Sequence, residues 1–297
     1  MGCGLSLGSV PRDPVDPADA ATDARDGTIG SADTGPDALP PAELDVTHEE
    51  PVVAVATGAA TVAVVAMGVD PMGKVVVLTH DTLPVPALAT AYEIDSTSPL
   101  YDFPIASPPS SLAPIPGFDT GKPTVGLYAL AANGGLNVIV DNGGSHLGTP
   151  FGSRPDANRV HVSAHRVFVG TSVVTPGLPS ATRIVACPAA FPATNPSCEP
   201  ATLVYDGQEL GGFAVSQDGL LLVGLAGEGA TLRIAAYSRP TLDASFSTVT
   251  PLPVRQSALV GAVEIVSASD DRARVRIHAP CRANEGSTQA CLLTLRR

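Results

Sequence analysis

From residue 51 to the C-terminus the chain alternates short runs of Val, Leu and Ile with turn residues, and no segment sustains a 3.6-residue apolar period. The pattern predicts an all-β domain. One strand–turn–strand unit recurs, most clearly at Gly212-Phe213-Ala214-Val215-Ser216-Gln217-Asp218-Gly219-Leu220-Leu221-Leu222-Val223-Gly224. Asp218-Gly219 supplies the turn, because Gly accepts the positive φ that a tight hairpin requires.

Weaker copies centre on Asp70 to Gly73, on Asn133-Gly134, on Ala164-His165 and on Asp270-Asp271, each leading into an apolar run. The turn centres stand about 62, 31, 54 and 53 residues apart. A period near 50 with three or four strands per unit predicts a β-propeller-like domain of five or six irregular blades over residues 51–297.

Composition sharpens this picture. With 29 Gly, 29 Pro, no Trp and only 4% aromatic residues in 297, the chain favours many short strands over long helices. Residues Val52 to Val69 form an uncharged run long enough for a membrane helix. That run lacks Leu, Ile and Phe and is flanked by Glu49, Glu50 and Asp70, so it reads better as two strands, Val52 to Ala56 and Thr61 to Val65.

The net charge of −12 is unevenly placed: residues 1–50 carry eleven acidic and two basic side chains, a balance of −9, which leaves −3 for the rest. A segment so rich in Asp, Pro and Ala and so poor in apolar bulk predicts a disordered acidic tether over 1–50, with a reach on the order of 40 Å. The deficit of basic residues excludes a nucleic-acid binder that relies on a positive surface.

Four of the five cysteines form two close pairs, Cys187 with Cys198 and Cys281 with Cys291, each flanked by strand-like sequence. We read both as hairpins closed by a disulfide, which requires an oxidising compartment. Free buried thiols are the alternative; a four-thiolate metal site would want a tighter C-x₂₋₄-C knuckle, so no metal and no cofactor is expected. Cys3, behind Gly2 and ahead of the acidic segment, resembles the mature start of a bacterial lipoprotein. That resemblance implies a lipid on Cys3, a true start upstream of Met1 and an extracytoplasmic, envelope location. Met1-Gly2-Cys3-Gly4-Leu5-Ser6 also fits an N-myristoylation pattern, which belongs to reducing cytosol.

Residues 212–253 carry a second resemblance. Ser216-Gln217-Asp218-Gly219, then Leu232 to Ala236, Ser238-Arg239-Pro240, Phe246 and Thr250-Pro251-Leu252-Pro253 look like a blade of the TolB-like (WD40-like) propeller repeats, with a fainter match over 257–297. The two cysteine pairs fall just after the third strand of two successive units in this reading. The resemblance implies an extracytoplasmic scaffold that binds partners, and no single chemistry.

Chemical motifs are sparse. His161 and His165 stand four residues apart, about 13 Å along a strand, too far to share one metal. Gly144-Ser145-His146-Leu147-Gly148 lacks the nucleophile-elbow spacing, and Gly224 to Gly229 misses the phosphate-loop patterns. The catalytic residues are therefore unassigned. The expectation is a lipid-anchored binding or scaffold protein that uses a propeller face for a protein or glycan. Its alternatives are a propeller hydrolase, with carboxylates drawn from Asp70, Asp81, Asp141, Asp206, Glu209 and Asp218, and an inert structural lipoprotein.

Overall fold

A computed structural model describes residues 43–52, 62–69, 75–81, 87–97, 99–105, 109–114, 118–119, 123–124, 126–131, 133–141, 146–163, 166–188, 197–250, 252–282 and 289–297. Among these the helical content is two single 3₁₀ turns, Gly229–Thr231 and Gln256–Leu259; everything else regular is strand. No described helix is long and apolar enough to cross a membrane.

Strand β1 (Asp45–Pro51) comes first and is taken up last. Blade 1 is β2 (Val62–Val69), β3 (Val75–Asp81), β4 (Ala87–Glu93) and β5 (Pro99–Ile105). Blade 2 opens with β6 (Pro109–Pro114). A two-stranded insertion, β7 (Phe118–Asp119) and β8 (Pro123–Thr124), precedes its remaining strands β9 (Gly126–Ala131), β10 (Gly135–Asp141) and β11 (His146–Ser153).

Blade 3 is β12 (Ala157–Val162), β13 (Arg166–Val173), β14 (Ala181–Pro188) and β15 (Thr202–Gln208). Blade 4 is β16 (Phe213–Val215), β17 (Leu221–Ala226), β18 (Arg233–Ser238) and β19 (Thr248–Val249). Blade 5 is β20 (Glu264–Ala268), β21 (Arg274–Pro280) and β22 (Ala290–Arg296), with β1 as its fourth strand.

This is a five-bladed β-propeller. The first strands of the blades neighbour one another in a closed cycle, β2 to β6 to β12 to β16 to β20 and back to β2. Beginning and end of the domain meet in one sheet, where β1 pairs antiparallel with β22 from Asp45 opposite Arg296 to Pro51 opposite Cys291. A ring has two chain ends to secure, and sharing one sheet between them ties the ring shut with backbone hydrogen bonds. Just before β1, Leu44 donates its N–H to Pro253 O (2.8 Å) and accepts from Arg255 N–H (2.9 Å). Its side chain is fully buried. The folded ring therefore takes in Leu44–Glu50, which the sequence reading places in the tether. Of the strand pair expected within 52–69, residues 62–69 form β2, and the first member lies mostly outside the described residues.

Each core is an interface between neighbouring blades. Blades 4 and 5 bury Leu221, Val223, Ile265, Val275 and Leu293 together with Leu44. Blades 2 and 3 share Leu136, Phe151, Val160 and Val167. Phe168 and Ile184 of blade 3 meet Phe213 and Leu222 of blade 4, and Val266 and Leu292 of blade 5 meet Met67 and Val77 of blade 1. Small residues make such close sheet packing possible: a Cβ on Gly170 would stand 2.6 Å from the Phe213 ring.

The repeated turn has one geometry in blades 4 and 5. Ser216 Oγ donates to Asp218 Oδ1 (2.6 Å) and accepts from Leu221 N–H (2.9 Å), while Leu220 N–H donates to Asp218 Oδ1 (2.9 Å). Ser269, Asp271, Ala273 and Arg274 reproduce these bonds 53 residues later. Gly219 takes φ +75° there, and Arg272 occupies the equivalent position at φ +61°. These turns join first to second strands; Asp70 to Gly73 and Ala164-His165, which fall between the first and second strands of their blades in sequence, lie outside the described residues. Asn133-Gly134 is different, because it joins β9 to β10, the second and third strands of blade 2. The first turn of blade 2 lies in 115–125, where the insertion sits. That substitution of one turn for another produced the uneven spacing of 62 and 31 residues.

Candidate functional site

The inner strands are the first place to look, since side chains from different blades can converge around the axis. Across β2, β6, β12, β16 and β20 the ionisable side chains are Arg159, His161 and Glu264. Both His161 and Glu264 are engaged between blades. His161 Nε2 lies 3.3 Å from Val215 O and its ring meets Phe213 edge-on. Burial drives the His161 pKa down to about 4, because the imidazolium would lose its hydration. Glu264 Oε1 accepts from Met67 N–H at 3.2 Å and sits 3.6 Å from Nδ1 of buried His278.

Further hydrogen bonds also join neighbouring blades, among them Val160 N–H to Ser111 Oγ (3.1 Å) and Asp218 N–H to Asp270 Oδ1 (3.2 Å). These polar groups stitch neighbouring blades. A lone carboxylate and a weakly basic imidazole on separate blades, each already bonded across an interface, form no nucleophile–base pair and no carboxylate pair among the described residues.

The carboxylates singled out from sequence sit elsewhere. Asp206, on the outer strand β15, pairs with Arg183 at 3.1 Å; Glu209 is exposed beyond it, and Asp218 holds its turn together. Asp81 ends the second strand of blade 1 and Asp141 the third strand of blade 2, and Asp70 lies outside the described residues. Of the histidine pair, His161 is on β12 and His165 lies outside the described residues. Gly227 (φ +85°) and Gly229 (φ +51°) serve a turn, as expected of that glycine cluster. Neither His161 nor Glu264 had a sequence signature as an inter-blade clamp, because their partners are 54 and 197 residues away.

The four paired cysteines are joined as read: Cys187–Cys198 with Cα atoms 4.6 Å apart, and Cys281–Cys291 with Cα atoms 4.9 Å apart. Their placement differs from the expected repeat. They belong to blades 3 and 5, which are not successive; Cys187 lies within a third strand, whereas Cys281 follows a second strand and Cys291 lies within a third. Loops of this size contribute about 3 kcal/mol each in the chain-entropy model. Such bonds persist in oxidising compartments. Cys3 lies outside the described residues.

Antiparallel order fixes which loops share a face. The turn between second and third strands and the connection to the next blade emerge on one face of the ring; the other two turns emerge on the opposite face. The connection face carries Val174 and Leu178, in the β13–β14 turn, and Val260 and Val263, in the link to β20. These are 75%, 66%, 71% and 49% exposed, and they account for four of the six large exposed aliphatic residues described. Beside Val174 runs a groove of about 650 Å³ lined by Arg154, Asp156, Ser172, Val174, Arg183 and Leu203. Arg154 and Arg183 are paired with Glu199 (2.6 Å) and Asp206 (3.1 Å).

The strand order and closure thus define a disulfide-bonded five-bladed propeller that exposes Val174, Leu178, Val260 and Val263 on its connection face. No protein family model matches the chain, and no curated protein matches it. Among solved structures it is similar to an oligogalacturonate lyase in complex with manganese (11% identity, TM-score 0.41, covering 82% of this chain and 67% of that one). A lectin from Aleuria aurantia in complex with Fucα1-6GlcNAc gives 10% identity and a TM-score of 0.44 over 75% and 72% of the two chains. A gluconolactonase from Xanthomonas campestris gives 11% and 0.39 over 87% and 99%. At these scores the fold assignment rests on the strand order alone.

Proposed function

We propose that this chain is an extracytoplasmic binding propeller, held at a bacterial cell envelope through a lipid on Cys3, that presents its connection face to a protein partner. One observation carries the reading: Val174, Leu178, Val260 and Val263 keep 49–75% of their surface in water on a single face. Aliphatic residues gathered on one face mark an interaction surface, because exposing them has a cost that a partner removes. An inert structural role leaves that grouping unexplained. A glycan is the second reading: sugars pack their C–H faces on aromatic rings, and among the described residues Phe151, Phe168, Tyr205, Phe213 and Phe246 are buried in blade interfaces while Tyr92 and Tyr237 are half-buried. The inner strands, with a single carboxylate, favour binding over hydrolysis.

The two disulfides support the compartment, and the resemblance of Gly2-Cys3 to a lipoprotein start supports the anchor. A photo-crosslinking amino acid at Leu178 should give a discrete adduct with an envelope protein, lost on Val174→Asp. The same probe at Val249, on the outer strand of blade 4, should give none. Equal adducts at both positions, or none at Leu178, would overturn the binding face. Intact-mass analysis of the N-terminal peptide tests the anchor separately: an unmodified Cys3 rules it out.

A further inference from the structure

We propose that the blade 5 cysteines double as a metal site: when the Cys281–Cys291 disulfide is open, the two thiolates and the Glu49 carboxylate bind one thiophilic divalent cation such as Zn²⁺. The three ligand atoms lie within 4.8 Å of one another. A tetrahedral zinc with Zn–S near 2.3 Å and Zn–O near 2.0 Å holds its ligands roughly 3.5–3.8 Å apart, so the cation fits after small side-chain adjustments. Cys281 and Cys291 are buried and Glu49 half-buried, which would leave one coordination position for water.

The position of Glu49 is chemically informative. Its Oε1 lies 3.4 Å from Cys291 Sγ and accepts from Arg282 N–H at 2.7 Å. A disulfide sulfur has no proton to give, so in the oxidised protein the carboxylate faces a group it cannot bond. In the opened form the same oxygen meets a thiol donor, or shares a cation with two thiolates. The Cys187–Cys198 pair has no such neighbour among the described residues: its sulfurs are buried in an apolar core with Phe151 and Val167.

The cation would also do mechanical work that the disulfide does not. The disulfide links blade 5's second-to-third-strand turn within one continuous stretch of chain. Glu49 belongs to β1, so a shared metal would bind the closing strand to that turn and reinforce the ring at its seam. Opening requires an external reductant. A water-soluble phosphine delivers two electrons to the S–S bond and leaves as its oxide with an oxygen from water, giving two thiols. Zn²⁺ then displaces both thiol protons into solvent.

The test uses the full chain with Cys3→Ser, so that the Cys3 thiol does not compete, reduced by phosphine and titrated with Co²⁺ and then Zn²⁺. One cation per reduced chain is expected, with a thiolate-to-cobalt charge-transfer band. The oxidised protein should bind none. The band should persist in the Cys187→Ser/Cys198→Ser variant and vanish in Cys281→Ser/Cys291→Ser. Glu49→Gln keeps both thiols and tests the third ligand even if a double serine variant fails to fold. It should weaken Zn²⁺ at least 10-fold, and affinity equal to that of the parent would overturn the site. So would a band that disappears with the Cys187 pair, or no band in the reduced parent.

Discussion

Leu44→Ala probes the ring closure where sequence and structure part most sharply. Leu44 belongs to the acidic N-terminal segment by composition, yet in the fold it is fully buried between blades 4 and 5, against residues such as Leu252, Leu259 and Leu295. Truncating it removes its transfer free energy and leaves a cavity that the rigid sheets around it cannot close fully. Leu→Ala changes at such sites cost about 3–5 kcal/mol. A domain of this size loses about 2–4 °C of midpoint per kcal/mol, so the lower figure corresponds to a drop of roughly 6–12 °C. Calorimetry or circular dichroism under non-reducing conditions reads this directly, and a urea titration with unchanged slope would confirm that the loss is one of stability. A midpoint within about 1 °C of the parent would refute the packing of Leu44 and with it the placement of β1.

Three further outcomes follow from the blade interfaces. Because the His161 pKa is about 4 in the fold against 6.5 when unfolded, only the unfolded chain takes up that proton as pH falls between them. This ring alone should remove about 2 kcal/mol of stability from pH 7 to pH 5, and His161→Gln should flatten that part of the urea-midpoint profile; an unchanged profile would contradict the desolvated neutral ring. At the repeated turn, Arg272→Gly should raise the unfolding free energy read from a urea titration by up to about 1 kcal/mol by relieving a positive φ. Gly219→Ala should lower it by about 1–2 kcal/mol, since its Cβ would stand 2.6 Å from Leu242 Cδ2. Arg239 lies under Phe246 (4.3 Å to the ring centre), donates Nε–H to Gly219 O (2.8 Å) and Nη1–H to Ala244 O (3.2 Å), and so locks the turn to the outer part of blade 4. Arg239→Lys, which keeps the charge but loses the planar fork, should cost about 2 kcal/mol in the same titration; a neutral result would remove the stacking role.

Features with local causes were legible in the chain. Ser216-Gln217-Asp218-Gly219 closes on itself through bonds spanning at most five residues, so its turn could be read from four letters. The disulfides were legible because each joins cysteines only 11 or 10 residues apart across a single interstrand connection of one blade. Arg272 left the second copy of the turn a weaker match by replacing the expected Gly, and Asn133-Gly134 imitated the first-strand turn while serving another. The closing strand was not legible at all. Asp45-Val46-Thr47-His48-Glu49-Glu50-Pro51 is polar because it is an edge strand with one outward row of hydrogen-bonding groups, and its partner lies 247 residues away at Thr294. The inner-strand clamps and the aliphatic connection face escaped for the same reason: each is assembled from turns and strands of different blades.

The account stands on β1 completing blade 5, and native-state hydrogen exchange measures this directly. Amides of 45–51 that donate to β22 should exchange as slowly as those of 291–296, with the same opening free energy, because the two strands close one ring. Exchange across 45–51 at the rate of an unstructured peptide, beside a protected 291–296, would contradict it.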